Sequence, residues 1–402
     1  MKKVMAVNAG SSSLKFQLLL MPEETVIVEG IVERIGFEDA GFTIKYQGQK
    51  EKKVLPVADH GEAVKIVLDT LISKGIVKSL EEISGVGHRV LHCGDRYADS
   101  VIIDDEVIDV IDSVSDLGPL HNPANLIGIK AFMKALPGVI EVAVFDTSFH
   151  LTMPEEAYMY AVPYHWYEKY GVRRYGFHGT SHRYVSHEAA RFLGKPIEDL
   201  RIITVHLGNG CSLAAVKNGK VVDTSMGLTP LEGLPMGTRS GSIDPAIIGF
   251  IADKEGLTAQ EVINKLNYES GYLGISGISS DARDLRKAVE EENHHLANLA
   301  IQIQNKRIVD YIASYYVYMG GADAIVFTAG IGERSPETRE EVCERLKEAL
   351  GVEIDKQKNI ETWGIEGEIS TPNSKIKVLV IPTNEELLIA RDVVRLAKTQ
   401  GK

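Results

Sequence analysis

The sequence predicts an α/β protein of two domains, and three observations carry that expectation. The chain has 402 residues, more than one ordinary core accommodates. Strand-like apolar runs alternate with helix-like stretches along most of its length. A glycine-rich strand–turn–strand pattern occurs twice, as "VNAGSSSL" at 7–14 and "VHLGNGCSL" at 205–213, which points to an internal duplication.

The elements follow in order. Val4–Val7 and Leu14–Leu20 read as strands on either side of a Gly/Ser turn. "HNPANLIGIKAFMKAL" (121–136) reads as a helix with Asn122 as its N-cap and Pro123 in its first turn. "VIEVAVFD" (139–146) is a buried strand ending in Asp146. "HRYVSHEAARFL" (182–193) is a helix with Thr180 and Ser181 as its caps. "IITVHLGNGCSLAAV" (202–216) repeats the hairpin of the N-terminus with one extra residue. Residues 322–342 and 376–397 each read as strand, turn and helix. Ligands of open α/β sheets gather at the carboxyl ends of strands, and Asp146, Gly330–Glu333 and Asn384–Glu385 hold such places.

Composition narrows the function. With 44% apolar and 25% charged residues the chain reads as globular rather than disordered. A net charge of −12 without any Lys/Arg block argues against nucleic acid as a partner. A small anionic substrate stays compatible, because a few arginines act locally against the global field. No apolar run reaches the ~18 residues of a membrane span, and "MKKVMAVNAG" has no signal-peptide h-region, so no membrane partner and a cytoplasmic location are expected. Cys93, Cys211 and Cys343 lie far apart with no CxxC pair, which indicates neither a disulfide framework nor a zinc site.

Three sets of residues exceed what folding requires. "NAGSSSLK", "HLGNG" and "TAGIGE" each follow an apolar strand and suit a phosphate cradle. Small residues let backbone N–H groups approach phosphate, Ser11–Ser13 add donors, and Lys15 adds charge. No GxxxxGK[ST] P-loop is present, and Gly330-x-Gly332-x-x-Ser335 lacks the third glycine of a dinucleotide fingerprint. The second set is cationic: Arg89 in "GHRVLH", His178 in "RYGFHGTSH" and Arg239 in "GTRSGSID". Flanking glycines imply little backbone crowding, so these side chains can reach a ligand; surface ion pairing is the plainer alternative for the arginines. His178 and His182 have i,i+4 metal spacing but no accompanying carboxylate motif. The third set is Asp146 and Glu385 at strand ends, which suits Mg²⁺, although Asn384 can serve simply as a helix cap. Together these are the parts of a phosphoryl-transfer site.

These motifs, from "NAGSSSLKFQL" through "GHRVLHCGD", "LGPLHNPAN", "FDTSFH", "RRYGFHGTSH", "HLGNGCS", "GTRSGSIDP", "SSDARD" and "TAGIGERSPETR" to "PTNEEL", resemble the acetate kinase family in order over essentially the whole chain. The resemblance implies membership of the sugar kinase/Hsp70/actin superfamily. The fold expected is α/β, with two duplicated ribonuclease H-like domains and an interdomain cleft. One domain would be residues 1–150 plus the C-terminal helix 385–402; the other, 151–384, would carry most of the nucleotide site. The implied reaction is reversible, Mg²⁺-dependent transfer of the ATP γ-phosphoryl to acetate, giving acetyl phosphate and ADP, with Mn²⁺ as an alternative ion and a homodimer as the assembly.

Carried onto this chain, the resemblance assigns Asn8 and Glu385 to the metal site. Nucleotide positions are Lys15, with Ser11 and Ser13 from the first turn, then His206, Leu207, Gly208, Asn209 and Gly210. They continue with Asp281, Ala282 and Arg283, and with Ala329, Gly330, Ile331, Gly332 and Glu333. Arg89 takes the substrate carboxylate, Asp146 the catalytic acid position, and His178 and Arg239 the transition state. Leu91, Leu120, Phe177 and Pro230 would line the pocket for the acetate methyl. Acetate is already an anion, so direct in-line transfer leaves Asp146 no obvious proton to move; ordering guanidinium groups or metal-bound waters is the role expected of it. The alternatives are a kinase preferring propionate or butyrate and, from another class, an ATP-switched binding protein of the actin/Hsp70 kind.

Overall fold

The structure, a computed structural model, describes residues 2–119 and 121–401. The chain divides into two compact units, Met1–Leu151 with Asn384–Lys402, and Thr152–Thr383.

The first unit begins with a five-stranded antiparallel meander: β1 (Lys2–Gly10), β2 (Ser13–Met21), β3 (Thr25–Glu33), β4 (Phe37–Tyr46) and β5 (Gln49–Val57). Helix α1 (His60–Ser73) leads to β6 (Ile83–Val90), which lies parallel to β1. After β7 (Val101–Ile102), α2 (Asp105–Ser113) and α3 (Asn122–Ala135), β8 (Ile140–Phe145) adds parallel to β6. The sheet order is β5-β4-β3-β2-β1-β6-β8-β7. Every residue of β8 is buried, as expected of a parallel strand covered on both faces.

Helix α3 does not begin as its sequence reads. His121 is the N-cap and Asn122 is already the first helical residue. The Asn122 side chain turns inward instead, accepting from His92 N at 3.1 Å and donating to the carbonyls of His92 and Ile111 at 3.0 Å each. A buried amide with these partners fixes the segment after β6 more firmly than an exposed cap would.

The C-terminal helix (Glu385–Thr399) completes this unit and explains the spacing "GVGHR". Alternate residues of a strand share a face, and residues four apart share a stripe of a helix. Arg89 meets Glu385, a Cβ at Gly87 would lie 2.3 Å from Ile389 Cγ2, and one at Gly85 2.4 Å from Val393 Cγ1. The glycines are therefore crowded seats for a helix, and the expectation of low crowding beside Arg89 is corrected. Gly87→Ala should lower stability by about 1–3 kcal/mol through overpacking; an unchanged urea midpoint would show that the helix is not seated there.

The second unit opens with α4 (Glu155–Tyr158), α5 (Tyr164–Tyr170) and α6 (Gly179–Leu193), then the hairpin strands β9 (Arg201–Leu207), β10 (Cys211–Lys217) and β11 (Lys220–Thr224). Helices α7 (Ala246–Glu255), α8 (Ala259–Tyr268), α9 (Gly271–Ser276), α10 (Ala282–Glu292) and α11 (His295–Met319) follow. β12 (Ala324–Thr328), α12 (Ala329–Arg334), α13 (Pro336–Leu350), α14 (Lys356–Glu361), β13 (Gly367–Glu368) and β14 (Lys377–Val380) close it. The sheet order is β11-β10-β9-β12-β14-β13.

The duplication lies in topology more than in sequence. β3-β2-β1-β6-β8 and β11-β10-β9-β12-β14 have the same order, antiparallel through the first three strands and parallel thereafter. This is the ribonuclease H-like arrangement, present twice. Among the described residues, no helix is long and apolar enough to cross a membrane.

Candidate active site

In the first unit, β6 and β8 run side by side and deliver Arg89 and Asp146 to the same sheet end. Arg89 Nε donates to Asp146 Oδ1 at 3.0 Å and Nη2 to Oδ2 at 2.6 Å. Asp146 is fully buried, and its carboxylate raises the already high pKa of the Arg89 guanidinium further. Among the described residues only the Nε–Nη2 edge of the guanidinium is used, which leaves Nη1 and the second Nη2 hydrogen as a fork that suits another carboxylate. Glu385 Oε2 lies 3.9 Å from Arg89 Nε. Burial pushes the Glu385 carboxyl up to about 7, with Asp146 and Glu386 adding to the rise while Arg89 and Lys15 oppose it.

Lys15 does not stand alone: its ammonium pairs with Glu386. Asn8 is its cross-strand neighbour in the β1–β2 register, which brings Asn8, Lys15 and the start of the C-terminal helix into one neighbourhood. Asn384 caps that helix, accepting from Leu387 N at 3.0 Å, as the plainer reading of that residue expected. Ser11 and Ser12 form the hairpin turn, and Gly10 pairs with Ser13, whose Oγ would lie 2.8 Å from a Cβ at position 10. Leu91 is half-buried, its N–H donating to Asn125 Oδ1 at 3.1 Å. Asn125 Nδ2 also donates to Ala9 O at 2.7 Å, so one amide ties the chain around β1 to the segment after β6. Leu120, expected in the methyl pocket, lies outside the described residues.

In the second unit, His178 occupies the N-cap of α6 with φ +60°, a left-handed conformation uncommon outside glycine. Thr180 and Ser181 are therefore inside the first turn rather than caps. Ser181 Oγ bonds instead to His206 Nδ1 at 2.8 Å and to Thr383 Oγ1 at 2.9 Å. The rings of His178 and His206 stack with centroids 4.2 Å apart. Ser212 Oγ sits between His178 Nδ1 and His182 Nε2, 2.8 Å from each. His182 Nδ1 bonds Thr204 Oγ1 at 2.7 Å, so both of its nitrogens serve this network.

Arg239 joins this group through Gly210, where a Cβ would lie 2.9 Å from His178 Nε2 and 3.6 Å from Arg239 Nη1. Arg239 Nη1 donates to Pro230 O at 3.2 Å. Among the described residues no carboxylate pairs with it, and burial depresses its pKa. It is a half-buried cation without a carboxylate counter-ion among those residues. Phe177, beside His178, is buried.

The glycine turns of this unit converge too. A Cβ at Gly208 would lie 3.4 Å from His206 Nε2 and 3.6 Å from Ala329 Cβ. Ala329 opens α12 with φ +63°. Glu333 Oε1 accepts from Thr383 N at 3.2 Å. Asp281 caps α10 and pairs with the exposed Arg283, while Ala282 and Ile331 pack on the same apolar cluster around Tyr272 and Leu285. His206–Gly210, Ala329–Glu333 and Asp281–Arg283 are thus neighbours within one unit.

Sequence reasoning missed Asn125, Ser212 and Glu386. The signal for Asn125 was available: asparagines at 122 and 125 lie on the apolar face of a helix, three residues apart. Ser212 gave none, because a serine inside a strand reads as filler.

A twice-repeated ribonuclease H-like frame, with glycine-rich turns and cations at its strand ends, suits a phosphotransferase. The description "Acetokinase family" fits residues 3–391 of the chain. A relative from Geobacillus sp. (strain WCH70), named acetate kinase, is 59% identical over 99% of both chains. The crystal structure of Porphyromonas gingivalis acetate kinase superposes with a TM-score of 0.95 at 46% identity, covering 99% of this chain and 100% of that one. A propionate kinase from Francisella tularensis subsp. tularensis SCHU S4 superposes at 0.91 with 42% identity, covering 98% and 100%. The chain belongs to the acetokinase family.

Proposed function

We propose that the chain is an acetate kinase, moving the γ-phosphoryl of ATP to acetate and back from acetyl phosphate to ADP. The observation that carries the reading is Arg239, a half-buried guanidinium beside His178 with no carboxylate partner among the described residues. An uncompensated buried cation costs stability, and it is kept where an anion is to be met.

The chemistry follows from charge. Two anions must approach, and charge then spreads over the transferring oxygens. The open fork of Arg89 would hold the acetate carboxylate, with Asp146 as a positioning residue that fixes the guanidinium. Arg239 and His178 would contact the phosphoryl group, and Leu91, Phe177 and Pro230, with Leu120, would bound the methyl. Lys15, Ser11, Ser13, His206–Gly210, Asp281–Arg283 and Ala329–Glu333 would bind the nucleotide, most of them from the second unit. Asn8 and Glu385 present only oxygen and amide donors, a set suited to a hard divalent cation with waters and phosphate completing its shell. Among the described residues no cluster of three or more His, Cys, Asp or Glu could hold a metal by itself. Mg²⁺, or Mn²⁺ in its stead, when bound would neutralise phosphate charge.

Self-association as a homodimer is supported by α7, "AIIGFIADKE", an apolar helix with no buried residue and with Phe250 61% exposed. Three free, buried cysteines suit a reducing compartment, and a cytoplasmic location is proposed.

Acetate-dependent release of ADP, with the acyl phosphate trapped as hydroxamate, tests the function. ATP turnover indifferent to any carboxylate would sink it in favour of a nucleotide-switched binding protein. Relative kcat/KM for acetate, propionate and butyrate decides the acyl preference. Leu91→Ala should raise KM for acetate and shift that ratio toward propionate by up to about tenfold, the scale of one methylene.

A further inference from the structure

A half-buried polar cluster in the second unit lies outside every role assigned above. Arg174, four residues before His178, donates through Nη1 to three successive carbonyls, Thr224 at 2.8 Å, Ser225 at 3.2 Å and Met226 at 3.3 Å. Its Nη2 donates to Glu232 Oε1 at 2.7 Å. The other oxygen of Glu232 accepts from the Tyr160 hydroxyl, which itself accepts from Leu228 N at 3.0 Å. The backbone completes the closure, since Gly227 O receives the amides of Tyr175 at 3.1 Å and Gly176 at 3.2 Å. Gly227 is threaded between the side chains: a Cβ there would stand 1.7 Å from Glu232 Oε2 and 2.1 Å from Tyr160 Oη.

The cluster joins two segments without regular structure, with Tyr160 reaching in from a third between α4 and α5. One, between α5 and α6, carries Phe177 and His178; the other, between β11 and α7, carries Pro230 and Arg239. A loop as long as the second has no ladder to set its register and is ordinarily kept for function. Glu232 is two residues from Pro230, whose carbonyl receives Arg239. The Arg174–Glu232–Tyr160 fastening therefore holds the chain four residues before His178 and two residues after Pro230, while Arg239 is tied besides through Ser240 N to Leu266 O and Ser270 N to Thr238 O, 2.9 Å each.

We infer that Tyr160, Arg174 and Glu232 are positioning residues for phosphoryl transfer, forming a clamp that fixes the two loops bearing His178 and Arg239. The inference rests on the carboxylate-kinase reading for its effect on turnover, while its effect on the loops stands independently. Sub-ångström placement matters here, because a misplacement of about 1 Å can cost about 10²-fold in rate.

Tyr160→Phe in the full-length enzyme is the test, since it removes one hydroxyl and keeps the ring. Amide exchange at Tyr175 and Gly176 should accelerate by about tenfold or more, as for a locally loosened segment, with the melting temperature nearly unchanged. The kcat for acetate should fall by about tenfold while KM for ATP holds. Glu232→Gln, which keeps an acceptor for Arg174, should lose less than Gly227→Ala, which cannot admit the clamp. Wild-type exchange and wild-type kcat in Tyr160→Phe would overturn the inference, as would loosened loops with kcat unchanged. A melt lowered throughout, with kcat per folded molecule intact, would make the cluster purely structural and overturn it too. Wild-type turnover that needs no carboxylate would sink the parent reading instead, leaving amide exchange alone to decide the clamp.

Discussion

Arg239→Met should reduce acetate-dependent kcat by about 10²–10³-fold, the scale of losing one preorganised donor, while leaving the melting temperature unchanged or higher. The two halves of that expectation share one cause. Arg239 is half-buried, burial works against its charge, and no carboxylate among the described residues compensates it. Methionine of similar length replaces a penalised cation with an apolar chain, forfeiting only the bond to Pro230 O and a contact with Met236 Sδ. Gain of stability with loss of activity is the expected behaviour of a group held for a ligand's charge. A clear drop in melting temperature would place Arg239 among the structural arginines, and retained turnover would remove it from the site.

Much of the frame was legible in the residues. β8 and β12 are short, wholly buried and, apart from Glu141 and Thr328, apolar, and parallel strands covered on both faces leave that mark. The two glycine hairpins fell where the sequence put them, because a turn between apolar runs has few other solutions. The meander β3–β5 left no comparable trace: "QKEKKVLPV" is largely exposed, so no apolar alternation marks it. Register is invisible for the same reason. Arg89 and Asp146 are 57 residues apart, and only the β6–β8 pairing of Val90 with Phe145 brings them together.

The site was legible by residue type and not by partner. Arg89 and Arg239 looked alike in sequence, each a cation beside glycine. Their surroundings are opposite: Arg89 is doubly bonded to Asp146, whereas Arg239 rests on a backbone carbonyl. The glycines differ as well. Gly85 and Gly87 make room for Ile389 and Val393, while Gly210 makes room for the His178 ring. A glycine states that something comes close; what comes close is a tertiary fact. The caps misled because Asn122, Thr180 and Ser181 are good capping types whose side chains were needed inward, or whose place was taken by His178 in a left-handed conformation.

The contrast between the two arginines makes the second large effect opposite in kind. Arg89→Met should cost both turnover and stability, because it strands the Asp146 carboxylate, fully buried, without its cation. Breaking one side of such a pair typically costs about 3–5 kcal/mol, whereas replacing both sides costs much less. Arg89→Met together with Asp146→Asn should therefore recover most of the lost stability, yet none of the grip on acetate. Asp146→Asn alone keeps an acceptor for one Arg89 donor, so it should retain more turnover than Arg89→Met, as befits a residue that orients rather than moves a proton. Urea denaturation of the two single variants and the double closes the cycle, with acetate kcat/KM measured on each. Equal midpoints for wild type and Arg89→Met would mean that the ion pair carries no stability. Asp146→Asn no more active than Arg89→Met, with a pH–rate limb lost, would return Asp146 to proton transfer.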